Sequence, residues 1–81
     1  MGGTMLNEIQ KGLSPRQKSV LEELSQGLSN KQIAYKLGVA EATIKMHISA
    51  LLRFFKAQNR VQILLNAAQQ GFIVKKNNKS A

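Results

Sequence analysis

Apolar residues fall into four groups divided by short polar or glycine-containing breaks, and each group has helical spacing. Val20, Leu21, Leu24 and Leu28 recur at intervals of three and four, which sets them on one face of a helix. Ser14-Pro15-Arg16-Gln17 opens it. Ser14 can cap, proline fits a first turn where its missing N–H costs nothing, and Gln17 can complete a capping box. Ser29-Asn30-Lys31-Gln32 repeats the box ahead of a short second helix with Ile33, Ala34 and Leu37 inward; Gly27 and Gly38 stand where helices stop. Only Gly38, Val39 and Ala40 precede a third helix over about Glu41 to Phe55. So short a link makes the two helices cross steeply, with Val39 turned inward. The fourth helix begins at Asn59-Arg60-Val61-Gln62, a third candidate capping box, and ends near Gly71. The fold class is therefore all-α.

The third helix has two distinct sides. At about 100° per residue, Ile44, Ile48, Leu51 and Phe55 form one narrow stripe, flanked by Leu52 and, at its margin, His47 and Phe54. That stripe predicts core; Phe54 stays open between core and an interface edge. The opposite side carries Ala42, Met46, Ser49 and Arg53, with Lys45 and Lys56 on one shoulder and Thr43 and Ala50 on the other. A face that is small, polar or cationic can enter a groove without bulk. The fourth helix has two apolar stripes: Ile63, Leu64 and Ala67 on one side, Val61, Leu65 and Ala68 on the other. A monomer needs only one, and the second stays open between core and an interface.

Composition narrows the chemistry. Eighty-one residues make one domain with a single small core, burying roughly 60% of the unfolded surface. The chain has no Cys, Asp or Trp, and His47 is its one histidine. A disulfide framework, a thiol nucleophile, a Cys/His zinc site and a Ser-His-Asp triad are all excluded within one chain, and we expect no enzyme, metal or cofactor. Residues 1 to 28 are neutral, whereas residues 29 to 60 carry +5 and Lys75, Lys76 and Lys79 add three more, for a net +8. Charge gathered on the middle of a small globular chain points to a polyanionic partner. Apolar runs of three residues, such as Ile63 to Leu65, are far short of the ~20 that span a bilayer. Without a signal peptide, the reading is a bacterial cytoplasmic protein with no membrane partner.

A short helix, a glycine-containing turn and a steeply crossing helix with a polar outer face make a helix-turn-helix, whose second helix lies in the DNA major groove. The wording sharpens this: Leu13-Ser-Pro-Arg16, Gly27-Leu-Ser-Asn-Lys31, Ile33-Ala34, Leu37-Gly-Val39 and Thr43-Ile-Lys45-Met-His47 resemble, in register and without a gap, the LuxR-type (FixJ or NarL-type) DNA-binding domain of bacterial transcription regulators. The resemblance covers residues 13 to 73. It implies a four-helix effector-like domain whose third helix is the recognition helix, with Lys45, Met46 and Ser49 at base-reading positions and Asn30, Lys31 and Thr43 beside phosphates. Residue chemistry agrees: Lys45 can donate to guanine O6 or N7, Ser49 can pair with several bases, and Met46 can touch a thymine methyl. His47, Arg53 and Arg60 complete the expected phosphate contacts. Val61, Leu65 and Ala68 form the expected dimer interface, which in this family lies on the fourth helix.

The chain departs from the family pattern at several places. Gln17 and Gln32 stand where the family usually has Glu. Ala40 replaces a Ser or Thr cap, at a cost of ~1 kcal/mol of local helix stability. Phe54, Lys56 and Gln58 replace a typical Lys, Gly and basic residue. The resulting expectation is the sequence-specific double-stranded DNA-binding output domain of a bacterial transcriptional regulator, acting as a homodimer on a two-fold or direct-repeat operator, with RNA polymerase as a further partner. Residues 1 to 12 are read as a flexible segment or linker with an expression scar at its start, 13 to 73 as the domain, and 74 to 81 as a flexible basic tail. The sensory domain, a phosphorylatable receiver or a small-molecule pocket, is expected to lie outside this chain.

Overall fold

The computed structural model describes residues 12–73, and over these it contains four helices and no strand: α1 (Pro15–Ser25), α2 (Asn30–Leu37), α3 (Glu41–Phe54) and α4 (Arg60–Gln69). The expected flexible N-terminal segment, apart from Gly12, and the basic tail lie outside the described residues.

Helix starts follow the capping chemistry with two differences. Ser14 and Gln17 exchange hydrogen bonds at 3.1 Å each way. Ser29 and Gln32 do the same at 2.8 and 3.1 Å, so both glutamine boxes close without a carboxylate. At α4, Asn59 accepts from the Gln62 N–H at 2.9 Å, but the Gln62 side chain reaches one residue further back, to the Gln58 N–H. The third box is thus shifted: extended backbone at Asn59 (φ −156°) carries its own N–H away from the glutamine. Ala40 offers α3 no side-chain cap.

One device ends all four helices. After α2, Gly38 takes a left-handed conformation (φ 71°); its N–H bonds the Tyr35 carbonyl and the next N–H, of Val39, bonds that of Ala34. This is a Schellman motif, and it needs a residue that tolerates positive φ followed by an apolar one. Gly27 and Gly71 repeat it after α1 and α4. After α3 the left-handed residue is Lys56 (φ 53°), where a side chain costs about 1 kcal/mol. The apolar residues that follow, Leu28, Val39, Ala57 and Phe72, all pack on the core. The chain is therefore folded back inward at each stop.

The core is assembled from one face of every helix: Val20, Leu21 and Leu24 of α1, Ile33 and Ala34 of α2, Ile44 and Leu51 of α3, and Ile63 and Ala67 of α4, closed by Leu13 and Phe55. No polar or charged residue is buried among the described residues, so nothing inside requires a compensating partner. α3 packs against each of the other three helices. At its far end Phe54, Phe55 and Phe72 meet edge to face with ring centroids 4.9 to 5.6 Å apart. Phe54 is accordingly half-buried core edge. Gly12 lies against its ring so closely that a Cβ there would collide with it. The Asn66 amide donates to the Phe55 carbonyl at 2.8 Å, occupying an acceptor the helix end leaves orphaned.

The bare start of α3 yields a prediction. Ala40 has the extended backbone of a cap (φ −73°, ψ 150°), so Ala40→Ser supplies the missing acceptor without strain. Thermal unfolding of Ala40→Ser should show a gain of about 1 kcal/mol, roughly 4–8 °C in Tm; an unchanged Tm would contradict the description of that helix start.

Candidate nucleic-acid interface

The rotation of α3 is set by what it buries. Ile44 and Leu51 are fully enclosed and Phe55 is 2% exposed; Ile48, within the same stripe, is half-buried. Everything opposite is consequently turned outward. Ala42, Lys45, Met46, Ser49 and Arg53 are all exposed, Met46 to 68%. Residues 42, 46, 49 and 53 follow the four- and three-residue steps of one helical ridge, with Lys45 beside it. The ridge is free of acidic side chains along its length; Glu41 stands at the first turn, where a carboxylate suits the helix dipole. Thr43 and His47, on the flanks, are half-buried.

The start of α2 contributes a second set of donors. Ser29 caps the Gln32 N–H, and the Ile33 N–H makes the first backbone bond, to the Ser29 carbonyl. The backbone N–H groups of Asn30 and Lys31 have no partner among the described residues. Free N–H groups at a helix start favour an anion, and Lys31, exposed at the second helical position, adds charge. At the other end of α2, Lys36 is occupied: its ammonium pairs with Glu23 at 2.9 Å. Tyr35 projects from α2 into solvent, 90% exposed.

Arg60 is placed differently from a free phosphate ligand. Its guanidinium turns back across the domain and donates to the Leu28 carbonyl and, at 3.1 Å, to the Asn30 amide oxygen. Both bonds are part-buried, and they tie the start of α4 to the turn before α2. Fewer of its donors are left for a phosphate. Sequence reasoning missed this tie, and no local signal marks it: Arg16 also stands in the first turn of a helix and has no such acceptors among the described residues.

On α4, Ile63 and Ala67 are buried, while Val61 is 65% and Leu65 52% exposed; Ala68 is half-buried. The two apolar stripes are thus resolved into one core face and one outward face. Among the described residues no group of three His, Cys, Asp or Glu could hold a metal ion, and no helix is long and apolar enough to cross a membrane.

Comparison with known proteins agrees with this architecture. The family model described as "Bacterial regulatory proteins, luxR family" matches residues 11–67. The chain is 48% identical over 65 residues to the glycerol metabolism activator of Pseudomonas putida, covering 80% of this chain and 29% of that protein. It is 48% identical over 63 residues to the two-component response regulator PprB of Pseudomonas aeruginosa (73% and 23% covered), and 48% identical over 58 residues to the nitrate/nitrite response regulator NarP of Escherichia coli (72% and 27%). Among solved structures, the response regulator ChrA of a heme-sensing two-component system superposes with a TM-score of 0.73 at 41% identity, over 75% of this chain and 30% of that one. The chain spans about a quarter to a third of the length of these relatives.

Burial separates neighbours on α3, which gives a direct check. Ile44→Ala should lower unfolding stability by about 2–5 kcal/mol, whereas Met46→Ala, two residues on, should stay within about 0.5 kcal/mol of the parent. Denaturant titration of both variants measures the contrast; comparable losses would mean that α3 is rotated from the position described.

Proposed function

The chain belongs to the luxR family of bacterial regulatory proteins, and on that premise we propose that it binds double-stranded DNA as the output domain of a transcriptional regulator, with α3 in the major groove. The observation that carries the reading is the outward ridge of α3, cationic and polar, together with the donor-rich start of α2. In this reading Lys45, Met46 and Ser49 read base edges: the lysine donates to guanine, the hydroxyl pairs with either partner of a base pair, and the thioether packs on a thymine methyl. Asn30, Lys31, Thr43, His47 and Arg53 lie along the margins, where phosphate contacts fix the register without reading sequence. Discrimination is modest in such a set, since no arginine or amide fork faces the bases, and DNA shape supplies part of it.

The outward stripe of α4 fits a two-fold contact in which Val61, Leu65 and the edge of Ala68 meet their equivalents on a second copy. Two weak half-site grips then become one useful affinity on a repeated operator. In this reading the controlling signal enters through a sensory domain, as the response-regulator names of the relatives suggest, and the setting is the bacterial cytoplasm.

Two measurements test this. Duplex binding should fall by ~0.9 decade per neutralised phosphate for each decade of salt. Lys45→Ala should change which duplexes are recovered from a random pool, while Lys31→Ala should weaken all of them about equally; the reverse pattern would refute the division between reading and anchoring. Separately, Leu65→Glu should remain folded and sediment as a monomer on DNA at concentrations where the parent pairs. If the parent and Leu65→Glu sediment alike, the α4 contact is wrong.

A further inference from the structure

We infer that Arg60 is a positioning residue for the phosphate grip at the start of α2, acting by locking the orientation of the Asn30 amide; this rests on the DNA-binding reading above. The guanidinium sits at the first position of α4 yet is spent far upstream, on the Leu28 carbonyl, 32 residues back, and the Asn30 amide oxygen, 30 back. A guanidinium has only donors. It therefore settles which end of the amide faces it: the oxygen points to Arg60 and the NH2 group points away.

That NH2 group has no partner among the described residues. It belongs to the first residue of α2, whose own N–H and that of Lys31 are also without partners there. All of these groups are donors, and a phosphodiester oxygen only accepts. Left to itself an exposed asparagine amide rotates freely and presents its oxygen, which repels a phosphate, about as often as its nitrogen. The second guanidinium bond fixes the carbonyl of the turn from which α2 departs, so the helix start and the amide are braced by one group. Lysine has the same charge, but its donors share one nitrogen, whereas here two nitrogens of the planar fork each take one acceptor.

The experiment uses the full chain and a duplex chosen by selection with the parent protein, comparing Arg60→Lys, Asn30→Ala, the pair together, and Asn30→Asp. Arg60→Lys should bind about fivefold more weakly, the effect of one hydrogen bond of average net strength, with the salt slope unchanged because no cation is lost. Asn30→Ala should show a similar loss, and the double variant should be no weaker than Asn30→Ala alone, since both remove the same contact. Asn30→Asp keeps an acceptor for Arg60 and so keeps the fold, but it replaces the NH2 donor with an anion; it should lose more than tenfold even if Arg60→Lys proves unstable. Binding by Arg60→Lys within twofold of the parent, losses that multiply in the double variant, or parent-like binding by Asn30→Asp would each overturn the assignment. A parent protein with no salt-dependent duplex binding would instead remove the DNA reading itself, and this role with it.

Discussion

The structure depends on the burial of one side of α3. Ile44 and Leu51 admit no solvent and Phe55 almost none, and a helix is rigid enough that enclosing these positions fixes the azimuth of every other residue on it. Rotating α3 by one residue would bring Ile44 out, at about 1.5–3 kcal/mol, and drive the Lys45 ammonium toward a core that contains no polar partner. The outward presentation of Lys45, Met46, Ser49 and Arg53 is therefore a consequence of packing. The same constraint keeps the ridge ordered before any ligand arrives, so the helix is presented to a groove in its working orientation.

α3 is nonetheless the helix with the poorest ends of its own. It starts on an uncapped alanine and stops on a lysine in a left-handed conformation. Its neighbours have serine or asparagine caps and glycine stops. What holds it comes from elsewhere: the Schellman turn at Gly38 and Val39 delivers its first residue, Asn66 of α4 takes a carbonyl at its last turn, and Phe72 meets the rings of Phe54 and Phe55 at the far end. Helical propensity contributes less here than tertiary contact, as is usual for short helices in proteins. α4 is accordingly more than a platform for pairing. Through Asn66 and Arg60 it braces both α3 and the start of α2, the two elements that the proposed interface uses.

Much of this was legible in the sequence, because it is encoded locally. Serine followed three residues later by glutamine gave the starts of α1 and α2, Gly38 gave the turn, and three- and four-residue spacing separated Ile44 from Lys45 and Ile63 from Leu65. Other features were not legible, since they join residues that no local pattern relates. The Arg60 tie spans thirty residues, and composition shows only a cation that could as well meet a phosphate. Phe54 sits at the edge of its helical stripe, and its place was decided by Phe72, which arrives from the end of α4. The shifted bond of Gln62 depends on the backbone angle at Asn59, which sequence spacing does not contain. The family wording marks the outward face of α3, while the burial pattern shows why that face is free.

The central claim, that core burial turns the basic ridge of α3 toward paired strands, is tested most directly by following backbone amide resonances of the isotope-labelled chain during titration with a selected duplex. The account predicts the largest shifts at Lys45, Met46 and Ser49, with a second cluster at Asn30 and Lys31, and little change at Ile44 and Leu51. Shifts confined to α1 or α4, with the ridge of α3 unperturbed at saturation, would contradict it.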